Sequence, residues 1–478
     1  MNRAILTSCI RNRRVLPLLL LLLPALPSNR LLAQNFSTLY YFIGNSDGGN
    51  PRSGLTLIDT TLYGTTHYDG DFRGFGGALG TVFSLSTDGT GFKAVFTFPP
   101  GDLGVQNGNP EGKFVISDGT LYGTGYESYD YPDYPWYGVI FSVGIDGTSQ
   151  FLSGSYDFEP LFGDGTQPDG VILSDGLLYG VTHSGGPFGH GTVYVYDGST
   201  VTYLHSFAGG DGATPVGSLV LSNGTLYGVT QLGGSWGKGT VYSINSDGTG
   251  FRVLHHFTGP TNGEGAYPPA ALILSGDTLF GTTSSGGTSG GGTAFGGAGT
   301  VFSVSIDGTG FRTLYNFTGG NDGAKPASAL TISSNALYGT TSGGGTSGLG
   351  TVFAVQTDGG GFTNLHSFSG IDGASPAAEM ILSGNTLYGT TYDHGKYGRG
   401  TVFSLSLSGA PPQLTIAPSS LNVVLTWATN GAFFLQSTTS LVSPTVWTRF
   451  FPAPVVVNGL NTVTSPISGG QQFFRLSQ

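Results

Sequence analysis

Cysteine is almost missing from this chain: Cys9 is the only one in 478 residues. No thiol remains beyond residue 34, which excludes disulfide staples, thiolate catalysis and cysteine-ligated metal from that part of the chain. Charge is scarce too, at 9% of residues, and unevenly placed. Five of the 17 Lys and Arg and none of the 28 Asp and Glu lie in the first 34 residues, which leaves 12 basic against 28 acidic side chains in the remainder. So acidic a surface makes nucleic acid a poor partner. No apolar run after the N-terminal segment is long enough to cross a bilayer, so no membrane span is expected. The shortage of charge does not indicate disorder, because it comes with an ordinary 38% of hydrophobic residues.

Glycine is abundant, with 84 residues. Many short strands need many tight reversals, and glycine supplies the positive backbone angles they require. The first 34 residues read as a signal peptide: Arg3, Arg11, Arg13 and Arg14 form a basic region, residues 15–26 an apolar core broken by Pro17 and Pro24, and Ala33, or alternatively Ala25, a small residue for cleavage. Leu6-Thr-Ser-Cys9 matches a lipoprotein box only superficially, since the apolar run follows it. A secreted or cell-surface location is expected.

From residue 36 the chain repeats. The tyrosine of Leu-Tyr-Gly, or a phenylalanine in its place, recurs at Tyr63, Tyr122, Tyr179, Tyr227, Phe280, Tyr338 and Tyr388, at intervals of 59, 57, 48, 53, 58 and 50 residues. Each is followed by a Gly-Thr-Val-aromatic strand carrying Phe83, Phe141, Tyr194, Tyr242, Phe302, Phe353 or Phe403, with only the second copy degenerate. Each unit holds four strand signals; in the sixth they are 327–333, 336–341, 350–356 and 362–368. Asp-Gly between the last two, as at Asp88, Asp146, Asp197, Asp247, Asp307 and Asp358, is a hairpin signal. Four strands per unit of about 50 residues match a propeller blade. Residues 36–42 read as a fourth strand with no blade before it, and the seventh unit ends at its third strand. The all-β fold expected is therefore a seven-bladed β-propeller over 36–409, closed by the N-terminal strand, which removes two unpaired edges. Residues 410–478 lack the repeat and alternate as a small β-sandwich would, with Trp427 and Trp447 available for its core.

Leu-Tyr-Gly-Thr-Thr, the paired glycines such as Gly185-Gly186 and Gly233-Gly234, and Gly-Thr-Val-Phe resemble the tandem "GloVer" repeats of secreted bacterial proteins. Members of that family carry various C-terminal anchoring or sorting domains, the choice-of-anchor arrangement. The ending Gln472-Phe-Phe-Arg-Leu476 resembles a C-terminal module of secreted verrucomicrobial proteins, which implies a role in attachment or sorting. The resemblance implies no enzymatic activity and assigns no catalytic residue.

Several side chains invite a chemical reading. His205, His255 and His366 share the fourth-strand position of Tyr40, Phe96 and Tyr315, and on a period of two they fall on the face of Phe207, Phe257 and Phe368, so they fill space between blades. His67 and His183 follow Leu-Tyr-Gly where a loop begins, a place from which a ligand could be touched. Asp47, Asp164, Asp211, Glu264, Asp322 and Asp372 precede a glycine or fall near one in the loop entering a first strand. Calcium there is conceivable, but Asx-type bonding to the loop's own backbone is the favoured reading, and no cofactor or metal is expected. Asp69-Gly-Asp71 resembles a calcium-loop fragment, with Arg73 at a ligand position. Gly44-Asn-Ser46-Asp-Gly48 and Gly287-Thr-Ser289-Gly-Gly291 match a nucleophile elbow without its strand-to-helix setting.

Aromatic residues give the best functional signal. The loops between second and third strands carry Phe75, the run Tyr129 to Tyr137 with Tyr131, Tyr134 and Trp136, then Phe188, Trp236, Phe295 and Tyr397. Flat rings beside polar groups suit glycan stacking, whereas the plainer reading has them cap glycine-rich loops. The expectation is a monomeric, non-catalytic binding or adhesion scaffold for a glycan or an extracellular protein. The alternative is a polysaccharide-active propeller enzyme, a glycosidase or lyase, which would need an acid and a base converging near the central channel.

Overall fold

The structure is a computed structural model that describes residues 35–44, 46–67, 80–98, 109–126, 138–146, 156–158, 165–288, 297–407, 415–419, 422–428, 434–438, 448–449, 454–457, 460–466 and 473–477. Two compact units divide the chain, Phe36–Leu405 and a second containing Ser406–Gln478. Among the described residues no helix is long and apolar enough to cross a membrane.

Among the described residues the larger unit is all-β, with seven successive antiparallel sheets of four or five strands and one two-stranded sheet of Gly265–Ala266 and Ser285–Gly286. The fourth is the most regular, with Ala213–Ser222, Thr225–Leu232, Thr240–Asn245 and Arg252–His256 paired in chain order. Its first hairpin turns on Asn223 and Gly224 at φ 50° and 74°, the angles a two-residue type I′ turn demands. The aromatic of the third strand explains the glycine of Leu-Tyr-Gly. A Cβ added at Gly228 would sit 2.4 Å from the Tyr242 hydroxyl, and at Gly64 2.4 Å from Phe83 Cζ, so in both sheets the ring lies across the bare glycine.

The seventh sheet takes its strands from both ends of the unit. Ile381–Ser383, Thr386–Thr391 and Thr401–Ser406 pair in order, and Asn35–Tyr41 lies at the edge beside Thr401–Ser406. The sixth departs from expectation: its first strand is not continuous over 327–333 but splits into Ala324–Pro326 and Thr331–Ser333. Residues 327–330 between the two pieces leave the ladder, whereas the equivalent strands of the third and fourth sheets run on through Pro168 and Pro215.

Neighbouring sheets meet through repeated contacts. Inside the fourth sheet Thr230 and Thr240, opposite each other on the second and third strands, share a buried hydroxyl bond of 2.8 Å, and five other sheets make the same internal pair. The glycine before that second threonine packs against the proline of the next sheet: an added Cβ at Gly239 would lie 2.8 Å from Pro268 Cδ, at Gly350 2.8 Å from Pro376 and at Gly400 2.8 Å from Pro51. Fourth-strand rings stack across the seam, His205 on Phe251 at 3.6 Å, His255 on Phe311 at 3.7 Å and Tyr315 on Phe362 at 3.8 Å. The series continues with His366 on Phe36 at 3.7 Å and Tyr40 on Phe92 at 4.1 Å. The last sheet therefore touches the first by the contacts that join the others. One cluster unites Phe42, Tyr388 and Val402 with Leu55, Leu62, Phe83 and Leu85, just as another unites Val229, Val241 and Phe257 with Leu272, Leu279 and Phe302.

The smaller unit holds two sheets, one of Thr415–Ser419, Asn422–Ala428, Leu460–Pro466 and Val455–Val457, the other of Thr448–Arg449, Phe434–Thr438 and Phe473–Ser477. Val423, Leu425 and Val463 from the first pack on Leu435 and Phe474 from the second. Trp447 and the side chain of Trp427 lie outside the described residues.

Candidate functional site

In every sheet the chain enters its first strand through a proline: Pro51, Pro110, Pro168, Pro215, Pro268, Pro326 and Pro376. In six of the seven the residue before it is held at positive φ, 56° at Asn50, 55° at Gln167, 55° at Thr214, 59° at Tyr267, 55° at Lys325 and 52° at Ser375. This conformation costs a non-glycine residue about 1–2 kcal/mol. A bond to the preceding sheet helps hold it, since the N–H of Thr214 donates to His190 O at 2.9 Å, that of Ser375 to Leu349 O at 2.9 Å and that of Asn50 to Arg399 O at 2.8 Å. The residues just after the prolines converge, and together they line a cavity of about 380 Å³ with contributions from all seven sheets.

The wall is asymmetric. Segments of the first, second, third and seventh sheets bring Arg52, Lys113, Asp169 and Glu379, whereas those of the fourth, fifth and sixth bring only small or apolar residues such as Ser218, Ala270, Ala271 and Ala327. The Lys113 ammonium reaches both Glu379 oxygens, at 3.0 and 3.1 Å. The first sheet contributes Gly54 beside Glu379, where an added Cβ would lie 3.3 Å from its carbonyl oxygen. Asp169 Oδ2 accepts the Gly217 N–H at 2.7 Å and meets His183 Nε2 at 3.1 Å. Burial raises the Asp169 pKa, but the His183 bond and charge and the Gly217 and Gly170 N–H bonds outweigh it and hold the carboxyl below its ordinary value. Arg52 lies over the Tyr392 ring at 4.9 Å.

Two sequence-derived site residues stand next to this wall, His67 where a loop begins, as expected, and His183 still within a strand. His183 lies within Leu177–Gly185, a strand prolonged because Gly165 and Thr166 pair with Gly185 and Ser184. His67 follows its strand directly and is only 2% exposed, with its N–H shared between Gly49 O and Asn50 O. Burial first, then the charge of Arg52, pushes its imidazole down to about 3. Sequence reasoning missed Arg52, Lys113, Asp169 and Glu379. The signal for them was the recurring proline, after which charge appears in only some of the units.

The loop acids are engaged by protein donors. Asp211 accepts the Ala208 N–H at 2.8 Å and bonds His205 Nε2 at 2.9 Å; Asp372 does the same with Ser369 and His366, both at 2.8 Å. Asp322 binds Tyr315 and Thr318, Asp47 binds Tyr40 and the N–H groups of Ile43 and Gly44, and Glu264 binds His255 and Thr258. The fourth-strand histidines thus stack between sheets, as expected, and also hold these acids, which was not. Among the described residues no cluster of three His, Cys, Asp or Glu could hold a metal ion. Asp164, Asp69, Asp71, Arg73 and Ser289 lie outside the described residues.

The aromatic tips lie elsewhere. Phe188, Trp236 and Tyr397 occupy the same position in the hairpins of the third, fourth and seventh sheets, each just before a glycine at positive φ. They are 60%, 63% and 46% exposed, so they do not cap their loops by burial, and the cavity wall does not include them. Tyr131, Tyr134, Trp136, Phe75 and Phe295 lie outside the described residues.

A family model described as the Gloeobacter/Verrucomicrobia repeat matches the chain twice, over residues 166–296 and 295–434. No curated protein matches significantly. Solved structures that resemble it include the Trypanosoma rangeli sialidase in complex with the inhibitor DANA, 11% identical with a TM-score of 0.43, covering 79% of this chain and 60% of that one. An oligogalacturonate lyase in complex with manganese is 10% identical, TM-score 0.43, covering 78% and 93%. A chain of a nidogen/laminin complex is 15% identical, TM-score 0.35, covering 58% and 86%. Likenesses this remote carry no argument about what the present chain does.

Proposed function

The chain belongs to the Gloeobacter/Verrucomicrobia repeat family, and from that premise we propose that it is an exported, non-catalytic scaffold: a closed seven-bladed propeller whose rim binds a neutral glycan, followed by a module for attachment or sorting. Closure is supported by the contacts of Asn50, Pro51, Tyr40 and Phe42, which repeat between the seventh and first sheets what joins the others. The observation that carries the binding role is the exposure of Phe188, Trp236 and Tyr397 at equivalent hairpin tips. A large ring held in water by a tight, twice-glycine hairpin serves the fold little, and it presents a flat face for a sugar to stack on. Committed loop acids and paired cavity charges support a binding role over a catalytic one.

The test is retention of the chain from residue 35 onward on a panel of glycans, with product analysis of every hit. Replacing Phe188, Trp236 and Tyr397 together by alanine is expected to weaken retention at least tenfold and leave the melting temperature within a degree. Unchanged retention would remove the rim from the reading, and release of shortened saccharides would replace the scaffold by a glycosidase or lyase. Export is tested by fusing residues 1–40 to a reporter; an unprocessed product left in the cytoplasm would refute it.

A further inference from the structure

We propose that the cavity is a second saccharide site, which takes the terminal one or two residues of the glycan that the rim holds; it rests on the glycan reading above. Its volume of about 380 Å³ lies at the small end of the roughly 300–1,000 Å³ typical of small-molecule sites, suited to one or two sugar rings and too small for a longer segment.

The chemistry of the wall selects a neutral, hydroxyl-rich ligand. The charged side chains of the described wall balance, with Arg52 and Lys113 against Asp169 and Glu379, so an anion or a cation would meet repulsion along with attraction. Each carboxylate is already anchored, Glu379 by Lys113 and Asp169 by His183 and the Gly217 N–H. Anchoring fixes these groups without exhausting them: a carboxylate offers about four lone-pair positions and an ammonium three N–H donors. Lys113, Glu379 and Asp169 keep 39%, 22% and 17% of their side-chain surface exposed. Sugar hydroxyls, each both donor and acceptor, match such a mixed and prepaired wall. Facing it, the alanines of the fifth and sixth sheets offer small apolar carbon surface for the C–H face of a ring.

Position links the two sites. Ser342 and Tyr392 line the cavity from the ends of second strands, where the chain leaves for the second-to-third-strand hairpins, and Tyr397 stands exposed in the seventh of these. Tyr392 at the wall and Tyr397 belong to one hairpin, and a glycan held at that hairpin would run along it toward the cavity.

The experiment is ligand-observed NMR with glucose, N-acetylglucosamine, maltose and cellobiose, with ethanolamine as the cationic and succinate as the anionic control. At least one neutral saccharide is expected to bind with one-to-one stoichiometry and more tightly than either control. Ala327→Phe fills the small-residue wall and is expected to weaken that binding at least tenfold, while rim-mediated retention on the polysaccharide persists in part. Glu379→Gln, nearly isosteric and partly exposed, is expected to weaken it several-fold and serves if Ala327→Phe does not fold. The rim triple variant is expected to bind the short saccharide as the parent does. Binding of no neutral saccharide above the controls, or parent-like binding by both cavity variants, would overturn the proposal. Neither result would touch the rim, whose failure is read separately from polysaccharide retention by the triple variant.

Discussion

At the seams between sheets each unit reproduces its neighbour: the glycine against the next proline and the stacked ring bonded to an acid recur from sheet to sheet. At the cavity wall the same backbone, set by the same proline, carries Arg52 in one sheet, Asp169 in another and Ala327 in a third. The difference is one of constraint. A seam residue must fit two sheets at close-packed distance, so few side chains satisfy it. A wall residue faces open space, and its identity is free to answer to something other than the fold.

The comparison is broken most severely by deleting residues 36–42. Phe36 stacks on His366, Tyr40 on Phe92, and Phe42 is fully buried beside Phe83, so the deletion strips contacts from the sixth, seventh and first sheets at once. At roughly 1.5–3 kcal/mol for each large side chain, the loss rivals the net stability of a domain. Denaturation with chromatographic sizing should show a strongly destabilised, self-associating protein, and a monomer melting within a degree or two of the parent would refute the closed arrangement.

A sharper contrast comes from two glycines of one sheet, both at positive φ. At Gly239 an added Cβ would lie 2.3 Å from Thr230 O and 2.8 Å from Pro268 Cδ, whereas at Gly224 it meets nothing within 4 Å. Gly224→Ala is expected to cost about 1 kcal/mol, from backbone strain alone. Gly239→Ala adds overpacking against the seam and is expected to cost about 3 kcal/mol or more in urea titration. Equal costs would mean that the seam yields.

The smallest effect tests the ring behind the wall. His67 titrates well below an ordinary histidine, so the unfolded chain binds a proton that the folded one refuses; its contribution is complete above about pH 6.5 and declines as pH falls toward 3. His67→Gln, the residue that the fourth sheet carries as Gln231, removes this loss. Between pH 6 and 4 the parent is expected to lose stability faster than the variant by up to about 1 kcal/mol per pH unit. Parallel curves would show that His67 takes up its proton in place.

Much of the fold could be read from the residues, because strand periodicity and Asp-Gly or Asn-Gly turns are local signals; Asn422–Ala428 and Val455–Val457 fall where alternation places them. The edge position of Asn35–Tyr41 could be read by counting strands. The wall could not, for two reasons. Its segments leave the strand pattern at a non-glycine residue of positive φ, which no periodicity announces, and Lys113 meets Glu379 from 266 positions away. The pairing of His205 with Asp211 was hidden differently: each residue had a sufficient separate explanation, one as filler and the other as a turn former, and only the 2.9 Å between them shows a single device.

The edge strand Asn35–Tyr41 also sets a timetable. Its partner Thr401–Ser406 is synthesised about 360 residues later, which at 5–20 residues per second is a wait of roughly 20–70 s. Throughout that interval the earliest strand of the unit has no edge to join, and its rings have no seam to enter. The six sheets between can form in the order in which they emerge, each on the one before, but the seventh can form only when the whole unit is present. Completion is therefore a late event of high contact order, and an unfinished chain is marked by a free, aromatic-rich strand at its leading end.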